Sequence, residues 1–546
     1  MDVDSDHMTT IGQSYKQASL AESWDAIVIG SGIGGLTAAA LLARHGGKRV
    51  LVLERHYVAG GFTHTFHRPG YEWDVGVHYI GEVTDPRSPV RAAFDSLTEG
   101  RLQWNAMPEV YDRIFINDRS YDFPSGLERF RERMKGYFPG EAAAIDRYIA
   151  MILDAAGASG SYFTEKALPA PLARVAGSFL RRRFLRYAGQ TTAAVLGPLT
   201  SNRELIAVLT GQWGDYGLPP AQSSFAIHAM IANHYFGGAA YPVGGASRIA
   251  AEIAPAVERA GGRIVVSAEV QRILTGPGQR AGGVRMADGR EFRAKTVISD
   301  AGAMNTYARL LDPEIGSTLG VLEQLRSIPP SMSHLSLYVG LRHDDGPLDT
   351  GATNLWICPE ADHDAALARF LADPTQPFPV VFISFPSAKD PTFAQRYPGR
   401  STIEVVAPAP YRCFQRWADT RWKKRGPDYD DFKQSLAARL RDELERQVPA
   451  VRGHIDYTEV STPLTTRHFA NHPYGEIYGL SAVPARFRLT SLGARTPIRN
   501  LYLTGADVTV PGVTGALFGG VVTASLILGR NVMSAVTRPV FERAAA

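Results

Sequence analysis

Gly30, Gly32 and Gly35 stand in the order G-x-G-x-x-G directly behind the β-branched run Ala26–Ile29, and Glu54 follows 19 residues after Gly35. Residues of these types at this spacing bind a dinucleotide. Gly30 permits a tight turn, Gly32 lets backbone approach a pyrophosphate, and Gly35 lets helix and strand pack closely. The turn Gly30-Ser31-Gly32-Ile33-Gly34-Gly35 opens onto a helix, Leu36 to Arg44, whose first free N–H groups suit an anion. Arg49–Leu53 is a second strand, ending in Glu54 and Arg55, and it places Glu54 to accept hydrogen bonds from ribose hydroxyls. An acid there repels a 2′-phosphate. A glycine-rich loop would explain the glycines alone, but not the two strands, the helix and the terminal acid.

Two stretches carry no charged residue: Ala26–Ala43, 18 residues, and Val508–Gly529, 22 residues. Both approach the roughly 20 residues of a membrane-spanning helix. Pro511, Gly512, Gly515, Gly519 and Gly520 instead suit close approach to a ligand, so both runs read as core helices. The strand Asn500–Asp507, containing Gly505, leads through the turn Val508–Gly515 into the helix Ala516–Leu528. A third piece has a helix at Ile249–Arg259, a strand at Gly261–Val270, a hairpin signal at Asp288-Gly289 and a buried strand at Thr296–Gly302.

The cofactor domain is therefore expected to be discontinuous, built from 23–110, 241–312 and 494–540. Residues 111–240 read as largely helical, as at Glu128–Phe138 and Glu141–Ala156. Residues 313–493 hold strand-like runs at Leu335–Val339, Val380–Phe385 and Thr402–Val406. Together they should form a second domain, a sheet roofed by helices with an apolar cavity against the first. Residues 1–22 read as a disordered leader, not a signal peptide, because no basic region precedes an apolar one.

The 546 residues are 45% hydrophobic and 21% charged, which excludes a disordered or fibrous chain. Fifty-eight basic against 54 acidic side chains give +4, too small a balance to argue for nucleic acid. Two cysteines, Cys358 and Cys413, rule out a disulfide framework and a cysteine-rich metal site. His468 and His472 sit at helical spacing without an evident third ligand, so no metal is expected. No second G-x-G-x-x-G follows a strand, so no resident NAD(P) domain is expected. The run Phe179–Tyr187 interleaves arginines with Phe and Leu. It suits either an anionic membrane surface or an exposed helix edge with snorkelling arginines.

The segment His56–Phe66, with Gly60, Gly61 and Phe62, resembles the one that crosses back over the diphosphate in flavoproteins of the amine oxidase and carotenoid desaturase type. Tyr71–Gly81 resembles their D-x-G segment along the isoalloxazine ring. The likeness continues through Thr98–Gly100, Phe225–Ala229, Tyr241–Gly245, Phe385–Thr392 and Thr496–Gly505, from about residue 24 to about 533. It identifies the chain as similar to the retinol saturases (all-trans-retinol 13,14-reductases) among the carotenoid (phytoene) desaturases and carotenoid isomerases.

That resemblance implies an α/β fold, a Rossmann-type FAD-binding domain with an interleaved α+β substrate domain. It implies FAD as the cofactor, held by Gly30–Gly35, Glu54, Arg55, Gly60–Phe62, Gly76, Val77, Val270, Gly505, Asp507, Val513 and Thr514. In related flavoproteins the position of Val270 meets adenine, Asp507 the ribityl–phosphate region, and Val513 and Thr514 flavin N1 and O2. The implied reaction saturates a carbon–carbon double bond of an apolar polyene or isoprenoid by hydride from flavin N5. Desaturation, isomerisation, amine oxidation and plain lipid binding stay open. His78 and Tyr79 are the foremost proton-handling candidates, His234 and Tyr235 the next; His78 packing without titrating is the alternative. The expected partners are a lipid-like substrate and an unspecified electron donor or acceptor. The expected place is the cytoplasm, at most against the inner face of a membrane.

Overall fold

The strand Ser23–Ile29 is apolar toward both of its faces, so it is stable only inside a sheet covered on both sides. In the computed structural model, which describes residues 11–168, 170–344, 346 and 348–538, it lies in the middle of an eight-stranded sheet. On one side follow Val50–Leu53, Arg263–Val266 and Gln13–Ser14, all parallel. On the other lies Glu291–Ser299, parallel again. Its first residues pair with antiparallel Arg280–Met286 and its last with parallel Leu501–Leu503. Strands from both ends of the chain and from its middle thus complete one sheet.

The helices Ile33–Gly46 and Val513–Leu528 pack against each other. Their crossing has no room for a side chain. A Cβ on Gly520 would lie 2.6 Å from the Gly34 carbonyl oxygen, and one on Gly34 would lie 2.7 Å from the Gly505 amide nitrogen. This explains the two charge-free runs: each is a strand end or turn feeding a helix that is buried almost throughout. Among the described residues no helix is long and apolar enough to cross a membrane.

A second, seven-stranded sheet runs in the order Ile455–Ser461, His334–Arg342, Arg400–Pro408, Val381–Ser384, Asn354–Cys358, Val110–Ile116, Arg119–Pro124. One face carries Tyr111, Trp356, Cys358 and Phe382 under the helices Ala142–Ala167, Ala170–Ala188 and Phe225–Phe236. The other carries Leu337, Ile383 and Val405 against Pro427–Gln447.

Four expectations change. The leader reading fails from residue 11 onward: Gln13–Ser14 extends the first sheet, and Ile11 and Tyr15 are buried; residues 1–10 lie outside the described residues. The region 111–240 opens with the hairpin Val110–Ile116/Arg119–Pro124 before its helices. The strand expected at Gly261–Val270 breaks in two, because Ser267 takes a left-handed conformation with φ 54°. Asn354–Cys358 and Ile455–Ser461 are strands that went unforeseen.

The crossing yields a paired prediction. Alanine in a helix interior gains up to about 1 kcal/mol over glycine, whereas overpacking costs about 1–3 kcal/mol. Gly136→Ala, where nothing lies within 4 Å of the new Cβ, is expected to raise the melting temperature. Gly520→Ala is expected to lower it, and equal shifts in thermal unfolding would contradict a side-chain-free crossing.

Candidate active site

The helices Ile33–Gly46 and Val513–Leu528 share an unusual start. Their N-caps are Gly32 and Gly512, neither has a side-chain cap, and neither has an acid in its first turn. Free N–H groups at both ends are left to a ligand, with the positive ends of two helix dipoles. Both ends border one cleft of about 710 Å³, also lined by Glu54, Arg55, Gly60, Gly61, Phe62, Gly76, Val270 and Asp507. Gly61, at φ 57°, brings the returning segment onto the phosphate turn, where a Cβ would lie 2.9 Å from Gly32 Cα. Asp507 Oδ2 accepts from the Ala303 amide (2.8 Å), while its buried Oδ1 has no hydrogen-bond partner among the described residues. Thr514 Oγ1 is likewise buried and unpartnered. Two open helix ends, a side-chain-free turn and two orphaned oxygens fit an elongated polar dinucleotide.

Three of the expected cofactor residues stand behind the wall instead of in it. The Ser31 amide and hydroxyl both donate to Glu54 Oε2 (2.8 and 2.6 Å), and Ser31 Oγ accepts from the Gly60 amide (3.0 Å). Ser31 therefore ties the turn, the acid and the returning segment together. Gly35 and Gly505 let the Gly30 carbonyl and the Gly34 backbone come close. Arg55 spans the rim, donating to the His468 carbonyl (2.6 Å) and to Glu269 (3.2 Å).

A second cavity, about 770 Å³, shares Gly76, His334, Tyr478, Gly512 and Val513 with the cleft. Val77, His78, Tyr79, His234, Tyr235 and Thr514 line it, so the residues expected to handle protons do meet there. His78 Nδ1 sits 2.7 Å from Glu404 Oε2. Burial and the nearby Lys389 ammonium push the His78 imidazole down to about 4, and burial pushes the Glu404 carboxyl up to about 8. Both shifts disfavour the charged forms of the two groups. Burial and the neighbouring acids Asp112 and Asp215 keep Tyr79 a neutral phenol, its group raised well above the usual range. Its ring stacks on Tyr235 at 4.5 Å. His234 is fixed by its neighbours: Nε2 accepts from the Gly81 amide (2.9 Å) and Nδ1 faces Glu82 (2.9 Å).

Sequence reasoning missed Asp112, Asp215, Asp300, Lys389 and Glu404. Lys389 Nζ is fully enclosed and donates to the His78 carbonyl (3.0 Å), to Ser384 Oγ (2.7 Å) and to Asn354 Oδ1. It thereby holds the His78–Tyr79 backbone from the second sheet. Its place in the Pro386–Pro391 segment was the one available signal. Asp300 lies against the phosphate turn, accepting the Gly35 N–H, and a Cβ on Gly32 would lie 2.6 Å from its Oδ2. Burial pushes Asp300 up to about 8, with Glu54 and Asp507 adding to the shift. Neutral at neutral pH, Asp300 does not oppose an anion at the turn.

Comparison with known proteins follows the same lines. A model of flavin containing amine oxidoreductases matches residues 33–347. The chain is 39% identical to all-trans-retinol 13,14-reductase of Danio rerio over 538 residues, covering 95% of this chain and 88% of that one. It is 36% identical to the Homo sapiens protein of the same name over 540 residues, covering 96% and 88%. The solved structure of cyclohexylamine oxidase from Brevibacterium oxydans shares the fold at TM-score 0.57 and 18% identity, covering 96% of this chain and 100% of that one.

Asp300 carries a pH prediction. An unfolded aspartate loses its proton near 3.8, and the folded one near 8. Folding therefore retains a proton between those values, and the associated stability is complete below about pH 4 and lost as pH rises through about 8. Asp300→Asn keeps an acceptor for Gly35 but cannot ionise. Melting temperatures of wild type are expected to fall more steeply than those of Asp300→Asn between about pH 5 and pH 8; parallel curves would refute the assignment.

Proposed function

The chain belongs to the flavin containing amine oxidoreductase family, among the relatives of all-trans-retinol 13,14-reductase, and on that premise we propose that it is an FAD-dependent reductase of a carbon–carbon double bond in an apolar polyene or isoprenoid. The observation that carries this reading is the meeting of two cavities. The cleft ends, and the second cavity begins, at Gly76 and at the uncapped helix start Gly512–Val513.

The residues of the cleft fit FAD. Gly30–Gly35 and the helix behind them would hold the diphosphate, Glu54 the adenosine ribose, Val270 the adenine, and Asp507 Oδ1 the ribityl chain. Gly60–Phe62, Gly76–Val77, Gly505, Val513 and Thr514 would enclose the rest. Bound there, FAD supplies a two-electron hydride carrier. The free N–H groups at Val513 and Thr514 favour negative charge at the junction, which a reduced isoalloxazine would bring.

The protein's remaining work is alignment and exclusion of water. Phe163, Met230, Ile231, Trp356, Phe382 and Phe518 give the second cavity an apolar lining suited to a hydrocarbon chain. Polar groups, among them His78, Tyr79, Asp215 and His234, also line it.

An apolar substrate comes from lipid, and the helix Ala170–Ala188 offers a docking face. Leu172, Val175 and Phe179 recur at i, i+3 and i+7 and are 56%, 83% and 79% exposed. The arginine run, which suited either lipid or an exposed helix edge, lies at the surface with most of its arginines paired to acids of the preceding helix. Arg183 and Arg186 pair with Asp154, Arg181 pairs with Glu165, and Phe184 is buried. The membrane-facing part of this helix is therefore its first half. The neighbouring helix Ala142–Ala167 lines the cavity with Leu153 and Phe163. Contact with a bilayer is peripheral on this reading.

Two tests follow. The purified protein is expected to carry a flavin absorption band, and, once reduced anaerobically, to be reoxidised by all-trans-retinol or a carotenoid with a product two hydrogens heavier. Oxidation of amines with release of peroxide, and no reaction with polyenes, would overturn the reading. Replacing Val175 and Phe179 together by Glu is expected to cut co-sedimentation with phosphatidylserine-containing vesicles at least ~10-fold, since about 1.5–3 kcal/mol rides on each buried side chain; unchanged binding would exclude this face.

A further inference from the structure

Tyr79 Oη stands between two carboxylates, 2.9 Å from Asp112 Oδ2 and 3.1 Å from Asp215 Oδ2. A phenol has one proton and can donate to only one of them. Asp112 has the stronger claim. It is fully buried, and its Oδ2 also accepts from Gln212 Nε2 (2.7 Å) and Trp356 Nε1 (3.0 Å). Its Oδ1 accepts from Asn354 Nδ2 (2.9 Å), and Asn354 Oδ1 accepts in turn from Lys389 Nζ. One amide thus joins an ammonium to Asp112, and four donors saturate its carboxylate. Burial raises the Asp112 carboxyl, but these four donors oppose the rise and hold it less far above the usual range than Asp215.

Asp215 has none of this support. Among the described residues its side chain has no hydrogen-bond partner but Tyr79 and no cation beside it. The titratable groups facing it are Asp112 and the phenols Tyr79, Tyr111, Tyr216, Tyr235 and Tyr478. Ionised, it would set a second negative charge against a hydroxyl already committed to Asp112. Protonated, it donates to Tyr79 Oη, and every group in the chain is satisfied. Burial and the Asp112 charge act the same way, holding Asp215 well above the usual carboxylate range. Asp215 also lines the second cavity, in company with Gly76 and Val77.

We propose that Asp215, kept as a neutral acid by the Tyr79–Asp112 pair, is the residue that gives a proton to the substrate carbon. The proposal rests on the reductase reading above and adds to it the source of the second hydrogen. With hydride supplied by a bound, reduced flavin to one alkene carbon, the π bond would break and its electron pair would take the Asp215 proton at the neighbouring carbon. The alkene would gain two electrons and two hydrogens at the cofactor's two-electron expense, and Asp215 would be left as a carboxylate that regains its proton from solvent. Tyr79 and Asp112 are positioning residues in this scheme: they set which acid holds the proton.

Two readouts on the flavin-loaded protein test it. Infrared spectroscopy at neutral pH should show the C=O stretch of a protonated carboxyl that shifts in D₂O, disappears in Asp215→Asn and weakens in Tyr79→Phe. In single turnovers, Asp215→Asn should slow reoxidation of the reduced enzyme by polyene ~100-fold or more, and Asp215→Glu should restore part of the rate. Visible circular dichroism of the flavin and the melting temperature establish that each variant is folded and loaded. A polyene rate within threefold of wild type in Asp215→Asn, or no infrared band lost with Asp215, would overturn the proposal. If wild type reduces no polyene, the substrate reading fails, and the infrared band then decides the state of Asp215 alone: present supports it, absent overturns it.

Discussion

A crossing of two helices that only glycines allow to come so close is the constraint on which the rest of the molecule depends. Gly34 on the first helix, Gly505 at the end of the last strand, and Gly519 and Gly520 on the last helix meet backbone to backbone. No side chain could be added there without pushing one helix off the sheet. Because the crossing is so close, the N-terminal ends of both helices border one cleft, although their first residues, Ile33 and Val513, stand far apart in the chain. Each end leaves backbone N–H groups unsatisfied, and each would be an unfavourable feature without a ligand. Packing and binding are therefore one design: the glycines that permit the crossing also leave the helix starts bare.

Charge is managed differently on the two sides of the junction. Around the cleft, Glu54 is tied to Ser31, and burial keeps Asp300 neutral, so the turn presents dipoles and no competing anion. Around the second cavity a larger set of ionisable groups is buried together. Lys389, Asp112, Glu404, Asp74 and His78 come from four separate segments. Burial pushes Lys389 down to about 8 and Glu404 up to about 8, yet Lys389 keeps three acceptors and remains the cation that anchors the His78–Tyr79 backbone. Asp74, pushed well above the usual range by burial, still accepts from Tyr241 (2.5 Å) and the Ala246 amide (3.1 Å). Half-satisfied networks are costly, and although Lys389, Asp112 and Asp74 are paired, His78 Nδ1 and both Glu404 oxygens lack a hydrogen-bond partner among the described residues.

What was legible in the sequence follows from range. The phosphate turn, the flanking strands and the charge-free last helix are local patterns, readable from glycine spacing and from the absence of charge. The grouping of Asp112, Asp215 and Glu404 is not local. Asp112 lies within Val110–Ile116 between Tyr111 and Arg113 and looks like a solvent-facing strand position; only the pairing of that strand with Asn354–Cys358 encloses it. Gln13–Ser14 is too short to register as a strand until Arg263–Val266 lies beside it. The arginines near residue 180 were visible, but the acids that occupy them, Asp154 and Glu165, sit on the preceding helix, and no property of the run itself announces them.

The same enclosure bears on how a symmetric-looking hydrocarbon chain could be handled with directionality. A cavity lined all round by apolar groups would hold such a chain in many equivalent registers, because dispersion contacts discriminate poorly between methylenes. Here polar groups such as His78, Tyr79 and Asp215 share the lining with Gly76, Val77 and the bare start of the last helix. A substrate with one polar end gains hydrogen bonds only when that end avoids the aromatic lining, so the lining selects its orientation by exclusion. Tyr79, stacked on Tyr235 and anchored through Asp112 to two strands of the second sheet, cannot follow the substrate as it moves. The rigid partner in this site is therefore the protein's polar edge, and the mobile one is the hydrocarbon, which places the burden of specificity on where along the chain the double bond falls.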